Sequence, residues 1–356
     1  MSQFYFGKRV EGPITPVSAP KKQRRFIKDL AAGMTIEDEA FLISQKDLRT
    51  TTNGSLYIHA VLCDRTGQML ARVWNATEQM YAQLTEGGFH RFRGRVENYK
   101  GSLQFIIDAM MPCDPSTLEM SDFMPQTAEN IDAMFERVKE ILRGVKNKHL
   151  LMLIKQFITD EALMVRFRRS PAAIQMHHAF IGGLLEHTRN VLELATLIVP
   201  RYPEVSLDLV LSGLFLHDIG KTYELTYETN FQYSNEGQLV GHIVQAAIWI
   251  DQKIKAVEAE TGEPFPADIR NALLHIILSH HGQYDFGSPK LPAMPEAVAV
   301  HYIDNLDAKL NMYLTKINTD KDPSSDWTDY VRSLDVKIFK KDVMGIRKPP
   351  GGGSEK

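Results

Sequence analysis

The hydrophobic period of this chain changes once, across the proline-bearing stretch 112–126, and nothing else in the sequence constrains the fold as much. Before that stretch apolar and polar residues alternate. After it, apolar residues recur at helical spacing to about residue 318. The pattern predicts a multidomain chain, a β unit followed by a helical unit. At 356 residues there is enough chain for two cores.

The first unit is placed at 29–111. Phe41 to Leu48 reads as a strand, and Leu56, Ile58, Ala60 and Leu62 alternate with Tyr57, His59 and Val61 in a second. Asp64-Arg65-Thr66-Gly67 is a turn signal, and Met69 to Trp74 makes a third strand. A helical interlude from Ala76 to Leu84 precedes two more strands, Phe89 to Val96 and Leu103 to Met110. Three strands, a helix and a hairpin predict an all-β OB-fold barrel. If Leu56, Ile58 and Ala60 fill it, Tyr57 and His59 point outward. Met69, Ala71 and Val73 inward leave Arg72 and Trp74 outward. Two aromatic rings beside an Arg and a His suit base stacking with backbone neutralisation. Arg91, Arg93 and Arg95 form a second one-sided ladder. An ordinary solvated or domain-facing surface would show the same pattern.

Composition excludes rather than identifies. Hydrophobic residues at 44% and charged residues at 24% fit a soluble globular protein. A net charge of −3 gives no global basic signal, so nucleic-acid binding has to come from a local face. The two cysteines, Cys63 and Cys113, fit a reducing cytoplasm. The N-terminus lacks a signal-peptide core, and no apolar run approaches membrane-spanning length. The expectation is a cytoplasmic protein with no membrane partner. Residues 1–28, with Pro13, Pro16, Pro20 and the cluster Lys21-Lys22-Gln23-Arg24-Arg25, read as a flexible basic arm. That cluster is either a solvated tail or an auxiliary phosphate contact. Residues 319–356 form a C-terminal extension, mixed to about 345 and ending in a disordered Pro/Gly tail.

The second unit, 127–318, reads as helices at 127–143, 147–158, 160–169, 177–198, 206–219, 238–257, 267–281 and 294–318. Arg166, Arg168 and Arg169 either line the mouth of a cleft or decorate an exposed helix end. Within the apolar stretch Leu214-Phe215-Leu216-His217-Asp218-Ile219-Gly220-Lys221, a His and an Asp end a buried helix. Burying a carboxylate beside an imidazole is costly unless a cation or a hydrogen-bond network compensates. The same context recurs at His187, His242, His280-His281 and Asp304. One histidine on an apolar helix is usually a satisfied core residue. Such residues on five successive helices are hard to explain as separate accidents, and a helical bundle brings facing side chains together at its centre.

The order His, His-Asp, His, His-His, Asp resembles the HD-domain metal-dependent phosphohydrolases. With the barrel in front, the chain from about residue 24 to 318 resembles the YhaM-type 3′→5′ exoribonucleases. The segments from His178 to Thr188 and from His280 to Pro289 are the most specific parts of the resemblance. It implies that His187, His217, Asp218 and Asp304 hold one metal. Asp218 would bridge to a second held by His242, His280 and His281. Mixed N/O ligation without thiolate favours Mn²⁺, Fe²⁺, Co²⁺, Ni²⁺ or Zn²⁺ over Mg²⁺ or Ca²⁺, and the resemblance points to Mn²⁺. Two ions would serve in-line attack on a phosphodiester. Asp218, Lys221 and His178 are the candidate catalytic residues. Lys221 either contacts the scissile phosphate or is a helix-terminal charge, His178 either reaches the phosphate or supports a ligand, and Asp307 is a supporting or a surface carboxylate.

The implied substrate is single-stranded RNA, with DNA as the other strand the barrel could guide, and the resemblance supplies the polarity. A homo-oligomer is compatible with the pattern. Three other readings stand beside this one, and the first, a nucleotide phosphohydrolase, would leave the fused OB-fold superfluous. A cyclic-dinucleotide phosphodiesterase would carry Gly-Tyr-Pro where this chain has Gly287-Ser288-Pro289, and Gly282 directly follows the paired histidines. A binding protein on an inactive scaffold would have lost ligands, and none of those expected is missing.

Overall fold

A computed structural model describes residues 24–99, 101–174, 178–227, 231–320, 322 and 324–347. The basic arm as far as Gln23 and the tail from Lys348 lie outside the described residues. The chain divides into two compact units, Met1–Cys113 and Asp114–Lys356.

In the first unit, strands β1 (Thr35–Thr50), β2 (Leu56–Asp64), β3 (Gly67–Trp74), β4 (Phe89–Tyr99) and β5 (Ser102–Pro112) close a barrel in the order β1-β2-β3-β5-β4. Helix α1 (Glu78–Gln83) lies between β3 and β4, capped by the Thr77 side chain. Closure follows from the length of β1. Its first part, Thr35 to Leu42, pairs with β4, and its second, Leu42 to Thr50, pairs with β2. Register shifts after Ile36 and after Ile43 bend the strand between the two partners. β3 and β5 run parallel. This is the OB topology.

The alternation read from the sequence sets the faces. Ile58, Ala60, Leu62, Met69, Ala71 and Val73 are buried, whereas Arg72 is half-buried and Trp74 exposed. Phe41, Phe92 and Phe105 meet at the centre with ring centroids 6.2–6.5 Å apart. The Asp64 turn does more than reverse the chain. The Asp64 carboxylate accepts from the Thr66 amide at 2.7 Å and from the Ile27 amide at 2.6 Å, which ties the segment before β1 to the barrel.

The second unit is helical: α2 (Ile131–Leu142), α3 (Lys148–Ile158), α4 (Glu161–Arg169), α5 (Gly183–Ile198), α6 (Leu207–Leu216) and α7 (Lys221–Glu224). A short strand pair, β6 (Leu225–Thr226) with β7 (Gln232–Tyr233), follows, then α8 (Asn235–Val240), α9 (His242–Thr261), α10 (Ala267–Ser279) and α11 (Pro295–Thr319). Side chains of Asn130, Asn147, Asp160 and Ser206 cap α2, α3, α4 and α6. Helix α6 is buried continuously from Val210 to Leu216, as a helix apolar on every side must be. It packs among α3, α5, α10 and α11. No helix among the described residues is long and apolar enough to cross a membrane.

Three expectations are revised. The helix expected from 177 begins at Gly183; Gly182 and His178 both take positive φ, +83° and +48°, so His178 lies on the segment leading into α5. The helix expected at 238–257 breaks at Gly241, whose φ of +75° and ψ of 154° no helix accommodates. In the extension a hairpin forms, β8 (Trp327–Val331) with β9 (Val336–Phe339). Before α2, Phe123 and Met124 are buried, and backbone bonds join Pro125 and Thr127 to Ile181.

Replacing Asp64 with Ala strands two buried or half-buried amides, and the expected cost is about 2 kcal/mol. A urea unfolding series should show the lowered midpoint, and an unchanged midpoint would remove this turn from the account.

Candidate metal centre

Five helices deliver one side chain each, or a pair, to a single point. His217 is the C-cap of α6 and Asp218 follows it; both are buried, at 0% and 3% exposure. His187 comes from the first turns of α5, His242 is the first residue of α9, His280 caps α10 with His281 next, and Asp304 sits on α11. Gly220 explains how α9 gets close enough. A Cβ there would stand 2.1 Å from the His242 carbonyl oxygen, so only glycine lets the two backbones touch. The glycine two residues after the His-Asp pair is therefore a packing requirement of the site.

The Asp218 carboxylate divides the ligands into two sets. Its Oδ2 lies 3.3 Å from His217 Nε2 and 4.0 Å from His187 Nε2. Asp304 Oδ1 completes that side, 3.2 Å from His187 Nε2 and 3.7 Å from His217 Nε2. Asp218 Oδ1 faces the other way, 3.5 Å from His242 Nε2 and 3.6 Å from His280 Nε2. Asp218, His242, His280 and His281 have ligand atoms within 4.8 Å of one another, as do His187, His217 and Asp218. Several of these separations are too long for hydrogen bonds. They suit atoms bound at about 2.1 Å to a shared ion, which stand roughly 3–3.5 Å apart. Asp218 Oδ1 and the Nε2 atoms of His242 and His280 are buried without a hydrogen-bond partner. Orphaned polar atoms this deep are costly. A cation would satisfy all three, so the donor set fits a metal centre.

The far side of each ring is anchored. Nδ1–H of His217 donates to the Leu214 carbonyl at 2.8 Å, that of His280 to Ile277 at 2.7 Å, and that of His281 to Phe286 at 2.6 Å. His242 Nδ1 meets Glu224 at 2.9 Å and His187 Nδ1 meets Asp307 at 2.7 Å. With Nδ1 holding the proton, each Nε2 turns its lone pair inward. Neighbouring charges and burial shift these groups in different directions. Burial opposes charge on His187, but Asp304 and Asp307 outweigh it and raise its pKa to about 9. Burial would raise Asp218, yet Lys221 and His217 hold it well below the carboxylate range. Asp304 and Asp307 are likewise lowered against their burial by neighbouring histidines. His281 is pushed down to about 3 by burial and by His280 and His242. Burial also lowers His280.

The other expected site residues fall as follows. Lys221 opens α7 and donates to Asp218 Oδ2 at 2.7 Å, so its ammonium faces that carboxylate. His178 Nε2 lies 3.0 Å from Asp307 Oδ2, the atom that also holds His187. It shares that carboxylate with His187. Asp307 is a half-buried partner, further held by Asn190 at 3.1 Å. Lining a cavity of about 410 Å³ beside Asp218, Lys221, His281 and Asp304 are Asn305, Lys309 and Ser333, with none of Arg166, Arg168 and Arg169. Glu224 and Asn190 escaped the sequence reading, because only the fold places them behind the ligands.

On the barrel, Tyr57 pairs with Trp74 across β2 and β3, ring centroids 5.2 Å apart, and His59 pairs with Arg72. The Arg72 guanidinium lies 5.3 Å from the Trp74 ring and 5.2 Å from that of Tyr99. Tyr99 thus joins a platform that the sequence reading had limited to two rings. Its place at the exposed end of β4 was the available signal. The second ladder is divided: Arg91 pairs with Asp38 at 3.1 Å, and Arg95 with Glu97 and Asp108 at 2.9 and 3.0 Å. Arg93 is exposed between them.

Residues 184–309 match the family described as HD domain, a span that contains every residue of both ligand sets. The 3′-5′ exoribonuclease YhaM of Geobacillus sp. (strain WCH70) is 31% identical over 322 residues, covering 89% of this chain and 96% of that protein. The chain belongs to the YhaM exoribonuclease family. Among solved structures it is similar to the second OB-fold domain of replication protein A from Methanococcus maripaludis, at 16% identity over 26% of this chain and 96% of that one, TM-score 0.22. A replication protein A heterotrimer bound to ssDNA matches at 16% identity over 31% of this chain and 29% of that one, TM-score 0.23. At such scores these add nothing to the strand order already described. Membership of the YhaM family makes this an HD-domain, metal-dependent hydrolase.

If Asp307 sets the orientation of His187, then Asp307→Ala should lower metal affinity about 10- to 100-fold with the fold intact. Competition against a chelating dye measures this, and wild-type affinity in the variant would contradict it.

Proposed function

We propose that this chain is a cytoplasmic, metal-dependent 3′→5′ exoribonuclease that hydrolyses single-stranded RNA, with single-stranded DNA as a second substrate. One observation carries the reading: in a chain of the YhaM family, a buried carboxylate with two imidazole sets on opposite oxygens borders an open cavity. The proposed domains are the barrel at 29–111 and the HD region at 127–318, joined by 112–126.

His187, His217, Asp304 and Asp218 Oδ2 would hold one ion, and Asp218 Oδ1, His242, His280 and His281 the other. Bound there, divalent ions supply Lewis acidity for in-line displacement at a phosphodiester. A donor set of imidazole and carboxylate without thiolate supports Mn²⁺, Fe²⁺, Co²⁺, Ni²⁺ or Zn²⁺, and the family resemblance favours Mn²⁺ among them. The chain's own residues do the positioning. Asp307 and Glu224 fix the rings of His187 and His242, and Asp218 carries the charge common to both sets. Lys221, buried at the cavity wall, holds a cation where a phosphate oxygen would gather negative charge. On the barrel, Tyr57, Trp74 and Tyr99 offer rings to unstacked bases, while Arg72, His59 and Arg93 offer donors to the backbone. The polarity of degradation rests on the family relationship.

A 5′-labelled RNA incubated with the protein and Mn²⁺ should give a ladder shortening from its 3′ end. Chelation should abolish it, and Asp218→Ala should lower the rate by at least about 10²-fold, as removal of a group essential to charge stabilisation costs. An RNA left whole in the presence of Mn²⁺, or degraded equally by Asp218→Ala, would refute the assignment.

A further inference from the structure

The cavity beside Asp218 contains more than phosphodiester chemistry requires. Its lining follows α11 from Asp304 through Ala308 to Met312, four-residue steps that keep one helical face toward the space. Ala173 and Phe286 line it as well. Aliphatic side chains and an aromatic ring therefore share one space with Asp218, Lys221 and His281. At about 410 Å³ the cavity lies within the size range of small-molecule sites, roughly 300–1,000 Å³.

Phe286 is the residue whose state needs explaining. It is 62% exposed, yet it is held in place. Its carbonyl accepts from His281 Nδ1 at 2.6 Å, and its amide donates to the Gln283 carbonyl at 3.2 Å. The Gly287 amide closes the same turn on the Tyr284 carbonyl at 2.9 Å. The main chain that carries this exposed apolar ring is thus fixed, one hydrogen bond away from a candidate ligand, in the wall of the reaction cavity. A flat apolar group entering that cavity would meet it.

We propose that Phe286 is the stacking platform for the base of the 3′-terminal nucleotide, whose phosphodiester then lies over Asp218. This inference rests on the exoribonuclease reading and names a subsite within it. Ala308 and Met312 would face the same nucleotide, and Lys309, exposed on α11 at the cavity, would meet its backbone. Stacking on a ring discriminates little among bases, since each presents a π face. The subsite would accept any terminal nucleotide.

The test compares kcat and KM on two RNAs, one with an ordinary 3′-terminal nucleotide and one with a 3′-terminal abasic ribose. Wild type, Phe286→Ala and Phe286→Trp are assayed with Mn²⁺. On the ordinary end, Phe286→Ala should lower kcat/KM about 5- to 150-fold, the range that base–aromatic stacking supplies, and Phe286→Trp should restore it. Wild type should lose a similar factor on the abasic end, where Phe286→Ala adds no further loss. Equal losses from Phe286→Ala on both RNAs would mean that the residue acts only through His281, and would overturn the subsite alone. No cleavage of the ordinary RNA by wild type would overturn both the subsite and the reading beneath it.

Discussion

The structure depends on one carboxylate. Asp218 is buried, and its two oxygens face two separate groups of imidazoles at 3.3–4.0 Å. A lone carboxylate at such depth is expensive, and Lys221 offsets only part of that cost from one side. Cations between the ligand sets would supply the rest, since Asp218 Oδ1, His242 Nε2 and His280 Nε2 have no hydrogen-bond partner among the described residues. Helix packing, glycine placement and ring orientation in the second unit all serve to keep this carboxylate where it is.

That dependence explains features that look unrelated in the sequence. Helix α6 is apolar on every side because it has to pass through the core to deliver His217 and Asp218 at its end. Gly220 is small because the first residue of α9 lies against it. Asp307 binds both His178 and His187, so the segment before α5 and the helix itself are tied to α11 through one side chain. The backbone carbonyls of Leu214, Ile277 and Phe286 each hold a histidine Nδ1, which makes main chain, and not only side chains, part of the site.

Much of this was legible beforehand. Period two fixed the barrel faces at Ile58, Ala60, Met69, Ala71 and Val73, because one side of each strand has to be buried. Polar ligand types inside apolar helices marked His187, His217, Asp218, His242, His280 and Asp304, all of which converge. His178 was misplaced: helical spacing continues through 178–198, and only the positive φ of His178 and Gly182 shows that the helix starts later. The β8–β9 hairpin was missed because its strands have five and four residues, too few for a period to register. Glu224 and Asn190 carry no pattern of their own, and Tyr99 carries only its place at the end of β4. They matter through what the fold sets beside them.

The most direct test of the bridging carboxylate is low-temperature electron paramagnetic resonance of the protein loaded with Mn²⁺. If Asp218 joins two ions, the wild type should bind two equivalents and give the broad spectrum of an exchange-coupled pair, and Asp218→Asn should lose the coupling. Isolated mononuclear six-line spectra from wild type at saturating Mn²⁺ would contradict the account at its centre.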